Sequence, residues 1–261
     1  MRPSQERLAP PGSWLTPGYA EWQPPAALRA LVACLWASVT PDGADRAGLV
    51  LPDACSDLIW EQGVGGSVAG PDTGPVRTLT GAGTVIVGVR FRPGAGAGAL
   101  GVPLSELRDR RVPLADLLPG PAGRLSAALE PAAAAARMLD VAGRLVAGAA
   151  ADPAVAHAAA RLRDPAARAE DIAVQAGLSE RQLRRRCHAA AGYGPKTLQR
   201  VFRFQRFVRL VDAATQPPDL AGAAAAAGYA DQPHLTRECR ALAGCTPAEL
   251  YRLRRPALAA G

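Results

Sequence analysis

Apolar residues in the first third of the chain come in short runs broken by Gly, Pro and Asp, a pattern that predicts strands over 31–39, 48–51, 57–61, 67–69 and 84–92. The last run is the clearest. Val85, Val87, Val89 and Phe91 alternate with Ile86, Gly88, Arg90 and Arg92, and a period of two gives a strand one apolar face. Beyond Pro93 the alternation stops, and segments rich in Ala, Leu and Arg predict helices near 104–108, 114–118, 123–129, 132–147 and 153–162. The alanine runs there read as helix filler and linker.

The last hundred residues contain an internal repeat. Leu183, Cys187, Gly192 and Pro195 recur as Leu235, Cys239, Gly244 and Pro247, each pair 52 residues apart. Upstream, Ile172, Ala173, Ala176 and Gly177 match Ala223, Ala224, Ala227 and Gly228 at an offset of 51, so the second unit has one extra residue in its turn. Each unit therefore reads as helix, Gly turn, helix. In the first, Gly177 ends a helix over 170–176. Ser179 then caps the next, Gln182 completes a capping box, and Gly192 stops it after 180–191. Leu183, Cys187 and Ala190 share its inner side, leaving Arg181, Arg184, Arg185 and His188 outward. In the second unit Asp231 caps, Leu235, Cys239 and Leu242 face inward, and Pro233, Thr236, Arg237 and Arg240 face outward, with Gln232 at the tip. Arg and Gln are the side chains that form paired hydrogen bonds with guanine and adenine edges.

Between the units, 195–212 opens with Pro at the first helical position and sets Leu198, Val201, Phe202, Phe207, Val208 and Val211 among arginines. It predicts one continuous helix of about 27 Å, comparable with the roughly 34 Å between successive major-groove faces. A rigid rod of that length would let two readers occupy adjacent turns of a duplex. After the second unit, Thr246 and Glu249 bracket Pro247 as another capping box, which predicts a last helix to about Leu253.

Composition changes the picture mainly through where charge lies. At 261 residues the chain suits two domains. The net charge of +7 says little alone, because Lys196 is the one lysine among 30 basic residues. Residues 1–160 hold 13 Arg against 14 acids, whereas 161–261 hold 16 Arg and one Lys against 9 acids, so the excess sits entirely in the last hundred residues. A basic module joined to a neutral one is the footprint of a nucleic-acid binder with a second job. No apolar run reaches the roughly 18 residues of a membrane span, and residues 1–11 do not suit a secretory signal, so no membrane partner and a cytoplasmic location are expected. Five cysteines, widely spaced and without a Cys-x-x-Cys pair, argue against a disulfide framework or a metal site.

At this point the chain resembles the AraC/XylS family of bacterial transcription regulators. The resemblance covers roughly 154–255, and its most specific stretch runs from Gly228-Tyr229-Ala230-Asp231-Gln232-Pro233-His234-Leu235-Thr236-Arg237 to Gly244-Cys245-Thr246-Pro247. It implies that the outward residues of both second helices enter the major groove, with Arg181, Arg184, Arg185, His188, Lys196, Gln232, Thr236, Arg237 and Arg240 as the DNA-binding set. Cys187 and Cys239 depart from it, standing where such proteins usually place phenylalanine. Smaller side chains there should loosen both units unless neighbours such as Phe202 or Leu242 fill the space.

The N-terminal half is similar to the cupin-like sensor domains that precede this module in many family members, through the stretches 52–60 and 88–94. The implied architecture is α+β: a mainly-β, cupin-like barrel domain for sensing or dimerisation over 14–121, a helical connector over 122–152, and an all-α domain over 153–257 with two helix-turn-helix units joined by a long helix. The implied partners are double-stranded promoter DNA, a small-molecule effector, RNA polymerase should the chain activate, and a second copy through the N-terminal domain.

Trp36, Cys55, Asp57, Trp60, Arg90 and Arg92 are the candidate effector contacts. For each a plainer reading stays open: the tryptophans as core, Arg90 and Arg92 paired with Asp57 or Glu61, and Cys34 and Cys55 as ordinary thiols rather than redox sensors. Control by a protein partner or by abundance, without an effector, is the alternative. From another class comes a nucleotide-dependent enzyme, because Gly96, Gly98 and Gly101 match the dinucleotide pattern after a strand. Arg92-Pro93 interrupts the join and Pro103 denies the glycines a long helix, so a flexible turn is expected instead. His157, His188 and His234 are scattered and no catalytic set appears. No catalytic residue and no cofactor is expected.

Overall fold

The computed structural model describes residues 17–118, 120 and 125–254. The reading of 1–11, the first two residues of the helix expected over 123–129, and the outer ends 14–16 and 255–257 of the expected domains lie outside these. Eight strands come first: β1 (Gly18–Trp22), β2 (Val32–Val39), β3 (Arg46–Val50), β4 (Ser56–Glu61), β5 (Gly65–Ala69), β6 (Val76–Thr80), β7 (Val85–Phe91) and β8 (Arg111–Pro113). Six form an antiparallel sheet ordered β1-β2-β7-β4-β5-β8, and β3 pairs with β6 as a separate ribbon. The mainly-β half followed by helices is thus as the sequence implied, but β1, β6 and β8 escape the alternation rule.

Alternation does place the core. Val85, Val87, Val89 and Phe91 on β7 and Leu58 and Trp60 on β4 are buried together, against Ala134, Met138, Val141 and Ala142 of α4 (Pro131–Ala147). Three short helices, α1 (Gly96–Leu100), α2 (Leu104–Leu107) and α3 (Leu114–Leu117), come before α4 in the chain. Two expectations fail here. Residues 125–129 are turn rather than helix, with the Leu125 carbonyl accepting the Gly66 N–H at 3.0 Å, and the Trp60 indole N–H donating to the Ser126 carbonyl at 2.9 Å. The segment thus serves strands β4 and β5 instead of coiling on itself. The glycines at 96 and 98 lie in a short helix, not a flexible turn. They are small because a Cβ at Gly96 would fall 2.1 Å from Ser56 Oγ, and one at Gly98 2.5 Å from the Ala150 carbonyl.

The helical part comprises α5 (Pro153–Arg161), α6 (Ala169–Gln175), α7 (Glu180–Ala191), α8 (Pro195–Ala213), α9 (Leu220–Ala227), α10 (Gln232–Ala243) and α11 (Pro247–Arg254). It has two cores strung on one rod. Leu198, Val201 and Phe202 of α8 pack with Ile172, Leu183, Cys187 and Tyr193, and Phe204, Phe207, Val208 and Val211 pack with Ala224, Leu235, Cys239 and Leu242. Both cysteines are fully buried among these aromatic and aliphatic neighbours, and burial pushes each thiol up to about 12. The β half contributes to both cores: Ala54 enters the first, and Leu49 and Leu51 border the second.

Candidate nucleic-acid interface

Each reading helix begins on the cap its sequence advertises. Ser179 Oγ accepts the Gln182 N–H at 3.2 Å while Gln182 Oε1 accepts the Ser179 N–H at 2.8 Å, a complete capping box at the start of α7. Asp231 Oδ1 accepts the His234 N–H at 2.6 Å to open α10, whose second residue is Pro233. Gly192 and Gly244 close the two helices in the left-handed conformation. Thr246 and Glu249 form the expected reciprocal cap before α11. The Thr246 backbone N–H and hydroxyl both donate to Glu249, holding its carboxyl below the usual range.

Arg181, Arg184 and Arg185 of α7 and Gln232, Arg237 and Arg240 of α10 are exposed, as is Lys196 at the start of α8. His188 and Thr236 are half-buried. The Thr236 hydroxyl donates back to the Gln232 carbonyl at 2.9 Å, and His188, crowded by its own burial and by Arg184 and Arg108, has its pKa lowered. The two outward faces are thus assembled, with these two members turned partly inward.

The arginines of this half divide by what they touch. Arg186 pairs with Asp152 at 3.5 Å, Arg200 with Glu238 at 2.6 Å, Arg168 with Glu170 at 2.9 Å and Arg254 with Asp212 at 2.5 Å. Arg163 covers the Phe202 ring, Arg203 lies over Tyr229, and Arg206 donates to the Arg163 carbonyl. By contrast Arg181, Arg184, Arg185, Arg237 and Arg240 form no ion pair among the described residues. Guanidinium groups left unpaired on two equivalent faces are available to phosphates and base edges.

The β half gathers some of its candidate residues and separates others. Arg90 lies 3.1 Å from Asp57, 3.4 Å from Asp53 and 3.4 Å from Glu21, and the Trp36 indole N–H donates to Asp57 at 2.8 Å. Burial pushes Asp57 up to about 6 despite the opposing pull of Arg90. Cys55 joins this group, its N–H donating to Asp53 at 2.9 Å, and burial raises the Cys55 thiol well above its ordinary value and that of Cys34 to about 12, the opposite of a reactive thiolate. Trp60 belongs to the core on the other face of β4, and Arg92 Nε donates to the Arg29 carbonyl at 2.9 Å. Glu21 and Asp53 were missed in sequence. Glu21 lies on the unforeseen β1, opposite Trp36 in register, and Asp53 sits in a loop.

Residues 172–253 match the family model of a helix-turn-helix domain, and residues 20–113 match that of a domain of unknown function (DUF6597). This C-terminal part is an AraC-type helix-turn-helix domain. The chain carrying it is a DNA-binding transcription regulator. The chain is similar to a solved structure of a probable AraC family transcriptional regulator from Rhodopseudomonas palustris CGA009, at 22% identity and TM-score 0.36, over 40% of this chain and 100% of that one. A transcriptional regulator with an AraC-type DNA-binding domain from Chromobacterium violaceum matches at 26% identity and TM-score 0.35, over 40% of this chain and 90% of that one. ToxT from Vibrio cholerae O395 spans more, 85% of this chain and 97% of its own, at 9% identity and TM-score 0.44. No curated protein is similar enough in sequence to be matched. Among the described residues no helix is long and apolar enough to cross a membrane.

Proposed function

We propose that the regulator reads promoter DNA with α7 and α10 in neighbouring major grooves, Arg181, Arg184, Arg185, Gln232, Arg237 and Arg240 meeting bases and phosphates and Lys196 meeting phosphate. His188 and Thr236 stand at the margins of these faces. The observation that carries this reading is the clustering of unpaired arginines: all five on the two outward faces lack an ion pair among the described residues, while eight elsewhere in this half are held by carboxylates, carbonyls or rings and only Arg161 and Arg209 join the unpaired ones among the described residues. Selection of bound sequences from genomic DNA with the full chain tests it. Two short subsites about one helical turn apart are expected. Recovery of sequences with no shared subsite would sink the reading.

The β half then supplies control in the cytoplasm, where promoter DNA is. Trp36, Cys55, Asp57 and Arg90, with Glu21 and Asp53, form the polar group where a small effector would act, and Asp53 adjoins Ala54, which is buried in the first reader's core. Trp60 and Arg92 fall outside this group. A ligand that competed for Arg90 would disturb Asp53 and so the first unit. Thermal-shift screening of the full chain, repeated on Arg90→Ala, tests this: a stabilising metabolite whose effect vanishes in the variant supports the site, and one whose effect persists removes it. Pairing of two copies through the β half, and contact with RNA polymerase if the output is activation, complete the proposal.

A further inference from the structure

The loop 70–75 joins β5 to β6, and its two prolines meet the ends of both reading helices. A Cβ at Gly192, the C-cap of α7, would fall 2.4 Å from Pro71 Cγ and 3.2 Å from the Leu104 carbonyl. One at Gly244, the C-cap of α10, would fall 3.4 Å from Pro75 Cγ. Gly74 faces the Ala241 carbonyl in the last turn of the same helix. Gly192 and Gly244 are equivalent positions of the repeat, so a single short loop touches matching points on the two readers.

The loop is braced. Asp72, 7% exposed, receives Arg111 in a two-pronged pair at 2.9 and 2.7 Å. The Thr73 N–H donates to Asp109 Oδ1 at 2.6 Å, and its hydroxyl reaches both oxygens of that carboxylate at 3.0 and 2.8 Å. The Asp109 N–H donates to the Pro71 carbonyl at 3.1 Å, and the Gly70 N–H to the Arg110 carbonyl at 3.0 Å. Paired charges and proline leave such a loop few alternative conformations. The braces end in β8 and in the turn 108–110 that joins it to α2, and α2 itself packs along α7.

We propose that the 70–75 loop is a positioning element for DNA reading, holding the C-terminal ends of α7 and α10 at one separation, so that the spacing between subsites is set by the β half as well as by α8. The inference rests on the two-reader function above. A rod alone fixes distance along its axis but leaves each unit free to rock about its own small core. A second tie across the helix ends removes that freedom. Pro71 and Pro75 act through the readers and touch no DNA.

The test uses the full chain and two readouts. Spin labels carried by noncanonical residues at Glu180 and Gln232, equivalent exposed starts of the two helices, report their separation without DNA. Binding to paired subsites with one base pair added or removed reports spacing preference. Pro71→Ala with Pro75→Ala removes the ring contacts, and Asp72→Asn loosens the brace. Both variants should broaden the distance distribution and reduce the penalty for an altered spacer from roughly tenfold to a small factor, with single-subsite affinity unchanged. A distribution as narrow as the parent's, or an unchanged spacer penalty, would overturn the proposal. If Asp72→Asn unfolds, the milder double-proline variant decides. Loss of all DNA binding by the parent would strike the two-reader function, while the distance measurement would still judge the brace.

Discussion

Leu183 and Leu235 hold equivalent places in the two units and both are fully buried, yet the walls around them come from different sources. Around Leu183 stand Ile172, Tyr193, Phe202 and α5, with Ala54 from the β half among them, and α1 and α2 pack on the helix that carries it. Around Leu235 the walls are the alanine-built α9, the C-terminal half of α8 and α11, with Leu49 and Leu51 only at the border. The first reader is therefore embedded in its neighbours, while the second is mostly walled by its own helices. Identical secondary structure thus carries unequal coupling to the β half, and a signal arising there has its shortest route through the first unit.

The largest expected effect tests that inequality. Leu183→Ala and Leu235→Ala should each cost about 2–5 kcal/mol. Hydrogen exchange should show lost protection reaching the β half, around Ala54, only for the first. Equal spread from both sites would break the comparison.

Next come the contacts to DNA. Arg184→Ala and Arg237→Ala should each cost about 1–3 kcal/mol on the preferred site and relax preference at one position, whereas Lys196→Ala should weaken every sequence alike and lower the salt slope by about one. Titrations on matched and mismatched duplexes check this. Identical behaviour of all three would place them together on phosphate.

Smaller still are the caps. Ser179→Ala removes one side of a reciprocal box and Asp231→Ala a single charged acceptor, and each should cost about 1 kcal/mol of stability in thermal unfolding. A loss of both effects would mean that tertiary packing alone holds the helix starts.

The smallest effect concerns pH and only the β half. Because burial raises Asp57 from 3.8 to about 6, the folded chain binds this proton more tightly than the unfolded one. Stability from this group is therefore greatest at low pH and declines as pH rises through that window. Asp57→Asn should lack the decline, and unfolding curves across the window compare the two. An unchanged slope in the variant would assign it to other groups.

Legibility followed the range of the forces involved. The repeat, the caps at Ser179 and Asp231, the stops at Gly192 and Gly244, and the long α8 rest on contacts within a few residues, so their chemistry is visible in linear order. The alternation of β7 was legible because one face is buried against a whole core. Edge strands β1 and β8 and the ribbon strand β6 were not, since their short sequences become strands only through a partner that supplies the hydrogen bonds. For the same reason the leucine-bearing stretch at 125–129 suggested a helix: its apolar spacing suits one, but Gly66 and Trp60 take up its carbonyls.

What the sequence determined by itself was a tandem pair of helix-turn-helix units with basic outward faces, because periodicity and capping act locally and the net charge of the last hundred residues needs no fold to be counted. Only the tertiary structure decided which arginines remain free for DNA, because Asp152, Glu238 and the rings of Phe202 and Tyr229 reach their partners across turns and helices rather than along the chain. It also decided that Pro71 and Pro75 meet Gly192 and Gly244, more than a hundred residues away, where close packing rather than sequence proximity brings the β half against both readers.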